Sequence, residues 1–338
     1  MARRTLWSRL LLGLLGLLVA AAAAVAALVW LWLDRALPLS APSVELSIES
    51  GATPRDVAQA WVAAGVQTHP RLLYEWFRWS GQARRIRAGS YEIDASTSPR
   101  GLLAKMVQGD ETMERVRFLE GWTLRQLRAA LARASHLRPT TAHMSDAQLM
   151  TALGAPDLAA EGRFFPDTYV YSRGVSDLTV LRRSHKALQV LLAQAWDERA
   201  ADTPLRSSAE ALTLASIIEK ETGIAADRGL VAGVFTNRLR QGMMLQTDPA
   251  VIYGLGEAFD GNLRKRDLLT DSPYNTYTRA GLPPTPIALP GLAALRAAVR
   301  PQPTKALYFV ARGDGSSVFS ESLAEHNRAV NKYQRGGR

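Results

Sequence analysis

Two glutamates stand two positions apart in the run Leu212-Thr-Leu-Ala-Ser-Ile-Ile-Glu219-Lys-Glu221-Thr-Gly223. On a helix, at about 100° per residue, Leu214, Ile217 and Ile218 mark an apolar stripe and Glu221 falls inside it. Glu219 falls off the stripe, near Leu212 and Ala215. A carboxyl on the inward face loses hydration, which disfavours its ionised form and raises its pKa. A rise of about two units, roughly 2.7 kcal/mol, leaves a useful fraction protonated near neutral pH, as a general acid needs. A helix end stopped by Gly223 accounts for the same residues with no chemistry at all.

Downstream lies a polar, aromatic stretch punctuated by proline: Leu245-Gln246-Thr247-Asp248-Pro249, then Pro273-Tyr274-Asn275-Thr276-Tyr277, then Gly281-Leu-Pro-Pro284 and Pro286. Amides, hydroxyls and tyrosine faces are what a carbohydrate cleft uses, and they equally serve structural turns. Other chemistries lack their residues. The chain has no cysteine, and its five histidines (69, 136, 143, 185 and 326) have no metal-ligand spacing. No nucleophile elbow or phosphate-binding glycine loop is present. The reading therefore needs neither metal nor cofactor.

These residues must be positioned by a folded body. The 338 residues, 47% hydrophobic and 21% charged, suit about two domains and argue against disorder. Val44, Leu46 and Ile48 alternate as in a strand that Ser50-Gly51 ends. Thr53-Pro54 then opens a helix through Val57, Trp61 and Val62, and a second helix carries Leu72, Leu73, Trp76, Phe77 and Trp79. A strand at 89–93 and a helix at 98–107 complete a small α+β module. Trp76 and Trp79 read as core at this spacing; exposed, they could stack on sugar rings. The second region has a strand near Val116, a helix through Leu124, Leu127 and Leu131, and helices at 178–200 and 207–222. A hairpin at 306–320 turns on Arg312-Gly-Asp-Gly315, and 335–338 reads as a frayed tail.

From Leu10 to Leu33 no charge interrupts about 24 residues, roughly 36 Å of helix, enough to span a bilayer core. Arg3, Arg4 and Arg9 precede the run, which predicts an N-terminus inside and the remainder outside. Trp30 and Trp32 are expected at the outer interface. A cleaved signal peptide would be shorter and end in small residues, whereas this run ends Trp-Leu-Trp-Leu-Asp34. The net charge of +10 is spread along the chain, and outside the cytoplasm it has no nucleic-acid partner. The expected organisation is a tail at 1–9, a transmembrane helix at 10–33, an extended linker at 34–43, a module at 44–112 and a larger α+β domain at 113–338.

The strand–helix–helix–strand order, with Gly-Ala-Thr-Pro-Arg-Asp-Val-Ala after the first strand, resembles a LysM-type glycan-binding module. A collinear set of motifs covers nearly everything after the apolar run. It comprises Glu161-Gly162, Phe165-Pro-Asp-Thr-Tyr169, Ala215-Ser-Ile-Ile-Glu219-Lys-Glu221-Thr222, Val234-Phe-Thr-Asn-Arg-Leu239, Leu245-Gln-Thr-Asp-Pro249, Val251-Ile-Tyr-Gly254, Tyr274-Asn-Thr-Tyr277, Gly281-Leu-Pro-Pro284 and His326-Asn327. Together they resemble the YceG-like endolytic murein transglycosylases. The resemblance implies cleavage of the MurNAc-β-1,4-GlcNAc bond with 1,6-anhydro-MurNAc ends, at the outer face of the bacterial inner membrane. The second glutamate of the triplet, Glu221, corresponds to the essential acid, with Glu219 in reserve or support. Gln246, Asp248, Tyr274, Asn275 and Tyr277 are the expected substrate contacts, and Glu161 and Asp167 could also line the cleft. Peptidoglycan glycan strands are the implied partner, with peptidoglycan synthases as candidate protein partners. Two rivals remain: a hydrolytic muramidase using a second carboxylate such as Asp248, and a silent wall-binding scaffold.

Overall fold

The computed structural model describes residues 2–49 and 51–336, with side chains from Leu12 onward inside the first helix. Ser50 and the end of the 335–338 tail lie outside the described residues. The chain divides into two compact units, 1–114 with 171–175, and 115–170 with 176–338.

The first unit begins with α1 (Ala2–Asp34), whose segment Leu12–Asp34 is long and apolar enough to cross a membrane and is exposed up to its last turn. Next come β1 (Ser43–Ile48), α2 (Pro54–Ala64), α3 (Pro70–Trp79), β2 (Gly89–Asp94) and α4 (Pro99–Gln108). β1 and β2 pair antiparallel, Val44 opposite Ile93 and Leu46 opposite Tyr91, so the strand–helix–helix–strand order closes on itself. Thr53 caps α2 in a full capping box with Asp56, and Pro54 holds the first turn, as the sequence predicts. Trp61, Leu73, Phe77, Tyr91, Leu102 and Met106 form the centre of the core.

Two expectations change here. Trp79 was expected in the core, yet it is 77% exposed; Leu73 and Phe77 carry the inward face of α3, leaving Trp79 on the opposite one. The stretch after α1, expected to be a linker, is tied down. Leu37 is buried and donates its N–H to the Thr97 carbonyl, while the Gln67 N–H donates to the Pro38 carbonyl. Leu33 is buried and Trp32 packs on the same core, so the last turn of α1 belongs to the unit. The segment 171–175 is held by Arg173, which pairs with Glu114 at 2.9 Å and with Glu45.

β3 (Met113–Arg117) leads onward. There follow α5 (Leu124–Arg133), α6 (Asp146–Ala152), β4 (Thr168–Ser172), which pairs with β3, and α7 (Asp177–Asp197). α8 (Ser208–Glu221), α9 (Ala225–Arg240), α10 (Asp248–Leu255), α11 (Lys265–Leu269) and α12 (Leu292–Val299) come next. The antiparallel hairpin of β5 (Tyr308–Ala311) and β6 (Ser317–Ser320) precedes α13 (Leu323–Tyr333). The mixed helix-and-strand architecture and the terminal hairpin follow the sequence reading.

α8 runs through the middle of the second unit, and every residue from Ala211 to Ile218 is buried. Leu188 and Leu192 of α7, Val231 and Phe235 of α9, and Leu295 and Ala298 of α12 surround it. A helix apolar on all sides is a core helix, and this one delivers its C-terminal carboxylates to the edge of the core.

Candidate functional site

Glu221 is the last residue of α8, where the helix emerges from the core. Its carboxyl is largely surrounded by protein, yet the residue keeps an opening to solvent. Burial pushes its pKa up to about 7; the Thr247 hydroxyl and the Arg238 guanidinium work against that rise, and Asp248 adds to it. Thr247 is 1% exposed, and its hydroxyl has no partner in good hydrogen-bond geometry.

The wall facing Glu221 is the segment entering α10. The Thr247 N–H donates to the Thr276 hydroxyl at 2.9 Å, and the Gln246 N–H donates to the Thr276 carbonyl at 3.0 Å. The Tyr277 hydroxyl donates to Oδ1 of Asp248 at 2.5 Å. The expected run at 245–249 is thereby stitched to the run at 274–277. Gln246 pays a conformational penalty, with φ of 52° in the left-handed region that non-glycine residues rarely adopt.

Arg238, from the last turn of α9, holds that strained segment. It is 7% exposed and donates to the carbonyls of Leu307, Leu245 and Met244 at 2.7, 2.9 and 3.2 Å, and to Oε1 of Gln246 at 3.3 Å. Its guanidinium lies 5.2 Å from the Tyr308 ring centroid, and Tyr308 stacks on His326. Arg238 carries no assigned role in the sequence reading, because a basic residue near a helix C-terminus ordinarily points to water.

Glu219 has a different place. Its Oε2 accepts the Gly291 N–H at 2.9 Å, and burial raises its pKa. Asn275 was expected to contact a ligand, but it is 1% exposed and its amide is spent inside the loop. It donates to the carbonyls of Asp267, Leu268 and Thr270 and accepts the Tyr277 N–H. It has no surface to offer.

Tyr274 takes part in a neighbouring cleft of about 660 Å³, lined also by Glu161, Lys220, Tyr253 and Phe259. Its ring meets Tyr253 edge-on at 4.9 Å, an approach that Gly254 permits, since a Cβ there would stand 2.9 Å from Tyr274. Glu161 accepts the Leu124 N–H at the start of α5 with both oxygens, at 2.9 and 3.1 Å, and the Tyr253 hydroxyl at 3.3 Å. Burial raises it, too, to about 7. Asp167 is exposed, and the 281–286 loop lines a cavity of about 670 Å³ with Arg163 and Glu210. Among the described residues no three metal-ligating side chains cluster.

A profile of the YceG-like family matches residues 46–332. The endolytic murein transglycosylase of Bacillus subtilis (strain 168) is 30% identical, over 87% of this chain and 86% of its own. The endolytic murein transglycosylase of Streptococcus pneumoniae serotype 2 is 28% identical over 88% of this chain, which spans only 60% of that longer relative. The crystal structure of a YceG-like protein from Listeria monocytogenes superposes with a TM-score of 0.54 at 28% identity, covering 85% of this chain and 98% of that one.

Proposed function

Because the chain belongs to the YceG-like family, we propose that it is a membrane-anchored endolytic murein transglycosylase with Glu221 as its catalytic acid. The observation that carries the assignment is the Glu221 carboxyl, placed at the end of α8 where the helix leaves the core, beside Thr247 and Asp248, and desolvated to a pKa of about 7. A carboxyl of that pKa is about half protonated at neutral pH and can both give and take a proton. In the proposed reaction Glu221 protonates the glycosidic oxygen and the C1–O bond breaks. The C6 hydroxyl of the same MurNAc then bonds to C1 as its proton passes to the carboxylate. A 1,6-anhydro end results and water is not consumed.

No second catalytic carboxylate is required, because the nucleophile belongs to the substrate. Asp248, the candidate water activator of a muramidase, instead accepts the short Tyr277 hydrogen bond. Gln246, Asp248, Tyr277 and Tyr274 are proposed to meet the sugar, and Glu219 to brace the loop at Gly291. α1 is read as a single-pass anchor with its N-terminus inside, and the β1–α2–α3–β2 module as a LysM-like glycan-binding element.

The test uses full-length protein in detergent on purified glycan strands, beside Glu221→Gln, with products weighed by mass spectrometry. Anhydro ends lost in the variant support the reading. Hydrated reducing ends would mean a muramidase, and strands left intact by both proteins would mean a scaffold.

A further inference from the structure

Outside α1, Trp79 is the most exposed large apolar side chain among the described residues, at 77%, and Leu72 is 52% exposed. The two are seven positions apart on α3 and share one helical face with Glu75 and Trp76. Isolated exposed apolar residues are ordinary, but an exposed indole one helical face away from a buried core is costly in water.

The place of that face in the fold says what covers it. The α1 terminus is joined to α3 through Arg100. The Arg100 Nε–H donates to Asp34 Oδ1 at 2.8 Å, and its guanidinium lies 5.7 Å from the Trp76 ring centroid. The Trp76 indole N–H donates to the carbonyl of Pro99, the first residue of α4, at 3.0 Å. Trp79 lies less than one turn beyond Trp76. No spacer separates α1 from the unit, since Leu33 is buried in the unit's core while Trp30 and Leu31 remain 63% and 61% exposed. The unit thus grips the final turn of α1, which puts Trp76, through Arg100, beside the end of α1 where a membrane-spanning helix would leave hydrocarbon.

The chemistry of the rim suits lipid headgroups. Indole is favoured at the membrane–water boundary, and arginine is attracted by anionic lipid. Arg71 and Arg78 of α3, and Arg35 just after α1, are exposed. Arg78 lies 5.2 Å from the Trp79 centroid and neutralises Glu75 at 3.0 Å, removing the only carboxylate on that face of α3. A sugar platform would want free polar partners beside the ring, whereas the one carboxylate on this face, Glu75, is taken up by the Arg78 ion pair and by the Trp79 indole N–H at 3.2 Å.

We propose that the Leu72–Trp76–Trp79 face of α3 seats in the anionic headgroup layer beside α1, holding the first unit down on the bilayer. The proposal rests on the reading of α1 as a membrane anchor.

The chain has no cysteine, so single thiols can be placed at will. Full-length protein carrying Leu72→Cys, Trp79→Cys, Glu49→Cys or Leu18→Cys is labelled with an environment-sensitive fluorophore. Each is placed in nanodiscs of phosphatidylglycerol and phosphatidylcholine. Glu49 is an exposed reference at the far end of β1, and Leu72→Cys leaves Trp79 in place. Labels at 72 and 79 should emit to the blue of the label at 49, with at least about twofold stronger quenching by headgroup nitroxide lipids. Water-like emission at 72 and 79, with the label at 18 in hydrocarbon, would overturn the proposal while sparing the anchor. Protection of those labels from aqueous quencher only on adding soluble glycan strands would likewise overturn it, in favour of a sugar face. A water-accessible label at 18 would remove the anchor and the proposal together.

Discussion

The Tyr277 hydroxyl and Oδ1 of Asp248 meet at 2.5 Å, joining the loop after α11 to the first turn of α10 beside Glu221. The negative charge of Asp248 is one of the influences that hold the Glu221 pKa up, after burial itself. Asp248→Asn should therefore lower the Glu221 pKa and move the descending limb of the activity–pH profile to lower pH. A rate–pH series for kcat/KM on the two proteins reads the shift, and an unmoved limb would separate Asp248 from Glu221.

A general acid works only while protonated. With Glu221 near 7, cleavage should fall as pH rises through about 7. Glu221→Gln should reduce the rate about 10²–10⁴-fold at every pH, whereas Glu219→Gln should cost far less. Anhydro-end counts across pH 5–9 (roughly two units either side of the pKa) check both expectations.

Stability should also decline as these carboxyls lose their protons. Glu161 and Glu221 have pKa values raised to about 7 in the fold, so the folded protein holds more protons than the unfolded chain between about 4.5 and 7. Unfolding free energy should fall across that window and level off above it, by roughly 2 kcal/mol per group after allowing for partial solvent access. Glu161→Gln and Glu221→Gln should each flatten the slope in denaturant titrations. A stability that rose with pH there would refute the desolvation of these carboxyls.

Arg238 binds three carbonyls and the Gln246 side chain, and a single ammonium cannot reproduce that fan. Arg238→Lys should destabilise the protein by roughly 2 kcal/mol, and Arg238→Met by about 3 kcal/mol or more, because buried carbonyls lose their donors. Both variants should also release the left-handed Gln246, lowering kcat before the protein unfolds. Denaturant midpoints measured beside kcat resolve the two effects, and an Arg238→Met protein as stable as the parent would contradict this account.

The sequence carried the helix that delivers Glu221 because its apolar residues repeat at helical spacing and stop at a glycine. Its two-faced picture was too simple: α8 is enclosed on all sides, so Glu219 is shielded as well, and partners rather than faces distinguish the two carboxylates. Asn275 read as a ligand contact because a polar residue between tyrosines looks exposed. Only the fold reveals the three loop carbonyls that claim its amide. Arg238 went without a role for the converse reason, since its acceptors come from segments up to 69 residues away. Trp79 was misjudged because spacing alone does not say which of two apolar faces on a short helix turns inward.

If α1 is the anchor proposed above, the burial of Leu33 and Leu37 in the first unit bears on how the protein could be released from a membrane. A protease cutting between them would detach the folded part and, in the same stroke, withdraw Leu33 and Trp32 from the first unit. Shedding would thus cost that unit part of its packing. The tether would then be part of the fold, and a freed fragment would be less stable than the whole.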